Sequence, residues 1–348
     1  MLRCLQLARN GAGSVAPNPM VGCVLVQGDR ILAEGWHKAH GGAHAEVECL
    51  NAFGDRPLPK DAVLYVDLEP CSHHGRTPPC ADLLIARGVR KVVVGQRDPF
   101  PQVAGKGIEK LRSAGVDVVV GLEEAACRWH QRRFITSIED QRPYIILKWA
   151  RSVDGFMDQH PHDPGTIQPI TNDASNTMVH RWRTEEQAIM VGSRTAINDD
   201  PQLTARHVAG LQPLRVIIDR NSTVPIDSRI FDRNAPTLLF TRMKRSELPH
   251  VDQAIVDGDD PLELMLHELH KRSIRSVLVE GGASLLNAFL QRDMWDEARV
   301  LTGKVHFGKG TPAPVLPDPQ RTMDIDGDRL DLFLNPASHP HVEGSWAW

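Results

Sequence analysis

Gly41-Gly42-Ala43-His44-Ala45-Glu46 and Glu69-Pro70-Cys71-Ser72-His73-His74-Gly75-Arg76-Thr77-Pro78-Pro79-Cys80 read as two halves of one site. One imidazole and two thiolates are ligands that zinc takes, and three of them leave its fourth tetrahedral position to solvent. His44, Cys71 and Cys80 are therefore the expected zinc ligands. Glu46, two residues past the histidine, is close enough to reach a bound water and is not needed as a ligand. That suits a carboxylate which takes a proton and passes it on. Isolated His and Cys are usually structural, but a structural zinc site closes with a fourth protein ligand, and no second cysteine pair is available.

Working outward, Val47, Leu50 and Phe53 share one face of a helix opening near Ala43, which puts His44 and Glu46 in its first turn. The apolar run Ala62 to Asp67 reads as the strand that delivers Cys71. Ahead of the site, Met1 to Asn10 has the spacing of an amphipathic helix ended by Gly11 to Gly13. Pro17-Asn18-Pro19 then stiffens a turn before the strand Val21 to Val26, which Gly28-Asp29 folds back onto Ile31 to His37. Asn18 either faces the mouth of the site or braces its own turn through the side chain. Eight residues separate the two cysteines and include His73, His74, Arg76 and Thr77. A guanidinium and a hydroxyl match a phosphate in charge and fork geometry, and the alternative is an exposed loop.

Downstream come a helix from Cys80 to Ala86, a strand from Lys91 to Gly95, a helix from Gly107 to Ala114 and a strand from Val116 to Gly121. Strands alternating with helices imply an open α/β sheet covered on both faces. Glu123 to Ser137 reads as one charged helix leading to a boundary at Gln141-Arg142-Pro143, which divides 1–141 from 142–348. A second α/β series follows. Its strands are Tyr144 to Ala150, Ala188 to Gly192, Leu214 to Asp219, Thr237 to Thr241, Ser276 to Glu280 and Glu297 to Phe307, with helices over about Asp173 to Arg183 and Pro261 to Lys271. There is no GxGxxG, so a standard dinucleotide-binding half is not supported. Gly281-Gly282, between a strand and a helix from Ala283 to Gln291, either brings backbone N–H groups to a phosphate or makes a plain tight turn.

Composition narrows the function classes. A chain of 348 residues with 41% hydrophobic content can bury two cores. A net charge of −4 with interspersed signs offers no basic field for a nucleic-acid backbone, and the densest basic run, His130-Gln131-Arg132-Arg133, reads as a solvated helix face. Beyond Cys71 and Cys80, the cysteines Cys4, Cys23, Cys49 and Cys127 are scattered singly, which fits a reducing cytosol. No signal peptide or membrane-length apolar run is evident. The expectation is a cytoplasmic homo-oligomer, dimer or tetramer, acting on small molecules without nucleic acid or membrane.

Taken together, His44-Ala45-Glu46, the Pro70-to-Cys80 stretch, Lys148 with Ser152-Val153-Asp154-Gly155, Asp199-Asp200-Pro201 and Val279-Glu280-Gly281-Gly282 resemble the RibD family of bifunctional riboflavin-biosynthesis enzymes. His-x-Glu followed by Pro-Cys is a zinc-deaminase signature, and the long insert between the cysteines separates this family from cytidine and transfer-RNA deaminases. The resemblance implies an N-terminal cytidine-deaminase-like α/β/α domain and a C-terminal dihydrofolate-reductase-like α/β domain. It implies zinc-dependent hydrolysis of the 2-amino group of 2,5-diamino-6-ribosylamino-4(3H)-pyrimidinone 5′-phosphate, then NADPH-dependent reduction of the ribosyl unit to ribityl. By position it implies deaminase substrate contacts at Asn18, His73, Arg76 and Thr77. It implies NADPH contacts at Ala150, Thr195, Asp199 and the run Gly282, Ala283, Ser284, Leu285, Leu286, Asn287 and Ala288. Reductase substrate contacts are implied at Lys148, Asp154, Arg183, Leu203, Arg206 and Glu280. Two arginines suit a phosphate, and surface ion pairing is the alternative for them.

The chain departs from the family pattern at several points. His130 stands where an asparagine is usual, and Ile167 and Pro169 stand where a serine and a tryptophan commonly meet substrate and cofactor. The segment His160 to Gln168 is expanded, and Leu301 to Phe307 replaces an Ala-Pro stretch. The competing expectation is an active deaminase whose second domain only binds ligand.

Overall fold

Runs of β-branched residues, and Gly54, Gly88 and Gly115, which follow three of the helices, divide the N-terminal part of the chain into short alternating elements. In the computed structural model these are α1 (Leu2–Ala8), β1 (Gly22–Gln27), β2 (Arg30–Trp36), α2 (Ala45–Phe53), β3 (Val63–Leu68), α3 (Cys80–Ala86), β4 (Lys91–Gln96), α4 (Lys106–Ser113), β5 (Asp117–Val120), α5 (Glu124–His130) and α6 (Arg132–Glu139). The structure describes residues 1–73, 78–101, 103–161, 168–258 and 260–338. The chain divides into two compact units, one over Met1–Gln141 and the other starting at Arg142.

The first unit is built on a five-stranded mixed sheet of order β2-β1-β3-β4-β5. β1 runs antiparallel to both β2 and β3, whereas β3, β4 and β5 are parallel. Leu25, Leu64, Val66, Val92 and Val94 from the strands meet Cys49, Leu50, Leu84, Ile108 and Leu111 from the helices, all of them buried. This core anchors α2 beside the sheet and holds the end of β3 in place, so both halves of the sequence motif leave from rigid elements.

The second unit contains β6 (Tyr144–Arg151), α7 (Asp173–Glu185), β7 (Ala188–Gly192), α8 (Ser193–Asp199), β8 (Leu214–Ile218), β9 (Thr237–Thr241), β10 (Asp252–Ile255), α9 (Pro261–Lys271), β11 (Ser276–Val279), α10 (Ala283–Gln291), β12 (Glu297–Thr302), β13 (Arg321–Ile325) and β14 (Asp328–Leu334). They form a nine-stranded sheet of order β10-β9-β8-β7-β11-β6-β12-β14-β13, parallel from β10 to β12 and closed by the antiparallel β14 and β13. Ile189, Met190 and Val191 of β7 are all fully buried, as expected of a parallel strand covered on both faces. Asn172 accepts from the Ser175 N–H to start α7, and Asp260 accepts from Leu262 and Glu263 ahead of Pro261 to start α9. Among the described residues no helix is long and apolar enough to cross a membrane.

Three sequence expectations need correction. Glu123 to Ser137 is two helices, broken at Gln131, whose side chain donates to the Met20 carbonyl and to Asp67. The basic run around it is not a solvated face, because His130, Gln131 and Arg132 are all buried. The strand expected over Glu297 to Phe307 ends at Thr302. There Gly303 packs so closely on the Ile170 carbonyl that a Cβ would lie 1.7 Å from its oxygen, and the chain turns away. Periodicity also passed over α8, β10, β13 and β14.

Candidate active sites

Each unit gathers polar side chains at the carboxyl ends of its parallel strands, where open α/β sheets carry their ligand sites. In the first unit His44 is the residue that begins α2, and Glu46 follows inside the first turn and is buried. β3 ends at Leu68, and Cys71 follows three residues on. Cys80 opens α3, its N–H pointing at the Cys71 sulfur at 3.3 Å, while the Ala81 N–H donates to the Cys71 carbonyl at 3.1 Å. His44 Nδ1 lies 3.6 Å from Cys71 Sγ and 3.3 Å from Cys80 Sγ, and the three potential ligand atoms all fall within 4.8 Å of one another.

These separations suit one ion. Tetrahedral zinc with its usual bond lengths spaces nitrogen and sulfur ligands about 3.5–3.8 Å apart. The electrostatics agree with a thiolate-bearing set. The Cys80 thiol and His44 stabilise the Cys71 thiolate and pull its pKa down to about 4, and the same contact raises Cys80. The bond to Cys71 also raises His44. Burial pushes the Glu46 carboxyl up to about 7, the range in which a carboxyl both takes and returns a proton at neutral pH.

His37, which sequence reasoning did not single out, braces this site. Its Nδ1 meets the Ala43 carbonyl at 2.8 Å, one residue before His44, and its Nε2 meets the Asn18 amide nitrogen at 3.2 Å. Burial lowers its pKa, so the neutral ring donates from Nδ1 and accepts at Nε2. The Asn18 side chain is thus tied to His37. His73 is exposed, and Arg76 and Thr77 lie outside the described residues.

In the second unit a cavity of about 600 Å³ opens over the ends of β6, β7, β8 and β11. Of the residues expected there, Lys148, Ala150, Thr195, Asp199, Glu280, Gly282, Ala283, Ser284, Leu285 and Ala288 line it. Gly282 has φ +72, a left-handed conformation that glycine adopts without strain, and it sits at the start of α10 against Thr195. A glycine turn at a helix start can bring backbone N–H groups to a phosphate, so this wall suits a nucleotide cofactor.

The other expected residues stand elsewhere. Leu286 is fully buried in the core, and Asn287 is half-buried off the cavity wall. Asp154 accepts from the Phe307 and Gly308 N–H groups at 3.1 and 2.7 Å and so fastens the loop after β12. Arg183 and Arg206 are not surface ion pairs. Arg183 binds Glu280 and the Thr204 carbonyl, and Arg206 donates to Thr204 Oγ1 and Gln202. Leu203 is buried with φ +50. Pro169 is exposed and off the lining, Ile170 beside it is on the wall, and Ile167 lies outside the described residues.

Comparison with known proteins decides what the two sites belong to. Residues 1–96 match the cytidine and deoxycytidylate deaminase zinc-binding region, and residues 143–330 match the RibD C-terminal domain. The riboflavin biosynthesis protein RibD of Synechocystis is 40% identical over 328 residues, covering 90% of this chain and 86% of its own. The chain belongs to the RibD family.

Solved RibD-family structures agree over 96% of the chain. A Thermotoga maritima protein described as a diaminohydroxyphosphoribosylaminopyrimidine deaminase/5-amino-6-(5-phosphoribosylamino)uracil reductase superposes with TM-score 0.88 at 37% identity, covering 96% of this chain and 97% of that one. Acinetobacter baumannii RibD gives 0.85 at 34% identity with the same coverage. The chain is accordingly a bifunctional deaminase and reductase of riboflavin biosynthesis, with a zinc-binding deaminase region containing the His44, Cys71 and Cys80 cluster and a dihydrofolate-reductase-like second domain. Sequence reasoning missed Arg194, Asn198 and Arg220 on the RibD-type reductase cavity. The first two belong to α8, whose seven residues are too few to show a helical period.

Proposed function

We propose that the first unit hydrolyses the 2-amino group of 2,5-diamino-6-ribosylamino-4(3H)-pyrimidinone 5′-phosphate, and that the second reduces the ribosyl unit of the product to ribityl with NADPH. The observation that carries the first step is the pairing of a three-ligand cluster with a buried carboxyl, Glu46, two residues from one ligand. His44, Cys71 and Cys80 would hold zinc, which supplies a water acidified for attack on the carbon that bears the amine. Glu46 takes a proton from that water and returns it to the leaving nitrogen, so water and the amine become a carbonyl and ammonia. Asn18, His73, Arg76 and Thr77 are assigned to the deaminase substrate, with Arg76 and Thr77 at its phosphate.

For the second step the support is the cavity between Lys148, Thr195, Glu280 and the Gly281-Gly282 turn. NADPH would supply the hydride. The residues assigned to it are Ala150, Thr195, Asp199, Gly282, Ala283, Ser284, Leu285 and Ala288, with the backbone at Gly282 and Ala283 facing phosphate. Lys148 and Glu280 form the polar floor, 3.9 Å apart. Arg183 acts behind them by holding Glu280, while Asp154, Leu203 and Arg206 shape the substrate end. We place the enzyme in the cytoplasm as a homo-oligomer, where its six unpaired cysteines stay reduced.

The test supplies the diaminopyrimidinone phosphate to the purified full chain and follows ammonia and NADPH separately. Both are expected to change, in that order. Chelation of zinc should stop ammonia release and leave reduction of supplied deaminated substrate intact, and loss of both activities or of neither would defeat the assignment of separate sites. Ammonia without NADPH consumption would favour the rival, a second domain that only binds ligand.

A further inference from the structure

Glu69 directly precedes the Pro70-Cys71 step, and its side chain is buried. Its N–H donates to the Gln96 carbonyl at 3.0 Å, which carries the β3–β4 pairing one residue past β3. The carboxylate accepts four backbone N–H groups. Oε1 takes Gly107 at 2.9 Å and Ile108 at 3.2 Å, and Oε2 takes Gly105 at 2.9 Å and Asp98 at 3.3 Å. Three of these donors belong to the start of α4, where unpaired N–H groups need an acceptor and favour a negative charge.

The helix is also pressed onto the residue that precedes the cysteine. A Cβ at Gly107 would lie 1.9 Å from the Pro70 carbonyl oxygen, so only glycine admits this approach. Cys71 is thus fixed from two sides. The N–H groups of Cys80 and Ala81 hold its sulfur and carbonyl, and on the other side Glu69 ties its approach to Asp98 and the start of α4.

We propose that Glu69 is a positioning residue of the metal centre, setting where Cys71 Sγ stands relative to His44 and Cys80 by clamping Pro70 to the start of α4. The proposal rests on the reading of His44, Cys71 and Cys80 as the zinc set. An isosteric amide cannot do the same work. One of its two ends becomes an NH₂ facing N–H donors, so two of the four bonds turn repulsive while volume is kept. Partners one step behind a ligand commonly change metal affinity by roughly 10- to 100-fold.

The experiment uses the full chain and its Glu69→Gln variant, with zinc affinity measured by chelator competition and the charge-transfer and d–d bands recorded for the cobalt(II)-substituted protein. Wild type is expected to bind one zinc, and the variant to bind it roughly 10- to 100-fold more weakly with displaced cobalt bands, at undiminished reduction of supplied deaminated substrate. Wild-type affinity and an unshifted cobalt spectrum in the variant would overturn the proposal. Should Glu69→Gln fail to fold, amide exchange in the wild-type chain decides: adding zinc should slow exchange at Gly105, Gly107 and Ile108, because coupling between clamp and metal is reciprocal. No change there overturns the clamp. Failure of wild type to bind zinc, or binding that survives Cys71→Ser unaltered, would instead remove the zinc reading beneath it.

Discussion

Arg183 and Glu280 meet fork to fork, with Nε to Oε1 and Nη2 to Oε2 both at 2.7 Å. The pair joins α7 to the end of β11 across 97 residues of sequence, and both side chains are largely buried. The third nitrogen of the guanidinium reaches the Thr204 carbonyl at 3.1 Å. Replacing Arg183 by Ala leaves the Glu280 charge buried beside Lys148 alone, and a pair broken in this way costs about 3–5 kcal/mol. Urea unfolding of the full chain should show this loss in the transition of the second unit. Arg183→Lys should recover only part of it, since an ammonium cannot make the bidentate contact.

The same pair sets an acid limit. Arg183, then Lys148, hold the Glu280 carboxyl down at about 2 against the resistance of burial, compared with an ordinary value of 4.5. The folded state therefore binds this proton less readily than the unfolded chain. The stabilisation is fully present above about pH 4.5 and is lost as pH falls toward 2. Glu280→Gln should flatten stability against pH within that window, and an unchanged slope would show that the carboxyl titrates normally.

His130 predicts a second, milder acid sensitivity. Burial, helped by Arg9, Arg132 and Arg133, lowers its pKa from 6.5 to about 3. Below pH 6.5 the unfolded chain takes a proton that the folded chain refuses, so stability declines as pH drops from 6.5 toward 3. At pH 5 the penalty is about 2 kcal/mol. The comparison of His130→Asn with wild type at pH 7 and pH 5 isolates it, because any packing change is common to both. The variant should gain on wild type by that amount at the lower pH.

Glu46→Gln keeps the size and burial of the side chain but removes its capacity to carry a proton. Zinc content by elemental analysis should match wild type, and ammonia release should fall by roughly 10²–10⁴-fold, the usual contribution of a positioned acid–base group. Reduction of supplied deaminated substrate should be unaffected. Retained deamination would take the proton-transfer role away from Glu46.

Gly282 offers a test confined to the second unit. An alanine there must adopt φ +72 at a cost of about 1–2 kcal/mol, and its Cβ would stand 3.2 Å from Thr195 Oγ1. Either the turn shifts or Thr195 gives way, and both change the cavity wall. Gly282→Ala should raise the KM for NADPH several-fold without altering ammonia release.

Much of the fold was legible from local pattern. β7, β9, α9 and α10 have the bounds that periodicity and flanking residues indicate, since each is long enough to repeat its period and carries a cap, a proline or a glycine at an end. The break at Gln131 was hidden because its cause, a bond to the Met20 carbonyl, lies 111 residues away. Asp154 shares a motif with its neighbours but spends its carboxylate on Phe307 and Gly308, on a different stretch of chain.

His44, Cys71 and Cys80 were legible in the sequence alone as one chemical group, because zinc accepts few ligand types and their identities are written in the residues. The alternation of strand and helix was determined in the same way, by interactions within a few residues. Only the tertiary structure decided that Glu69 serves α4, that Arg183 serves Glu280 and that His130 is buried. A polar side chain must satisfy its charge and hydrogen bonds with whatever the folded chain brings beside it, and sequence spacing does not record which segment that is.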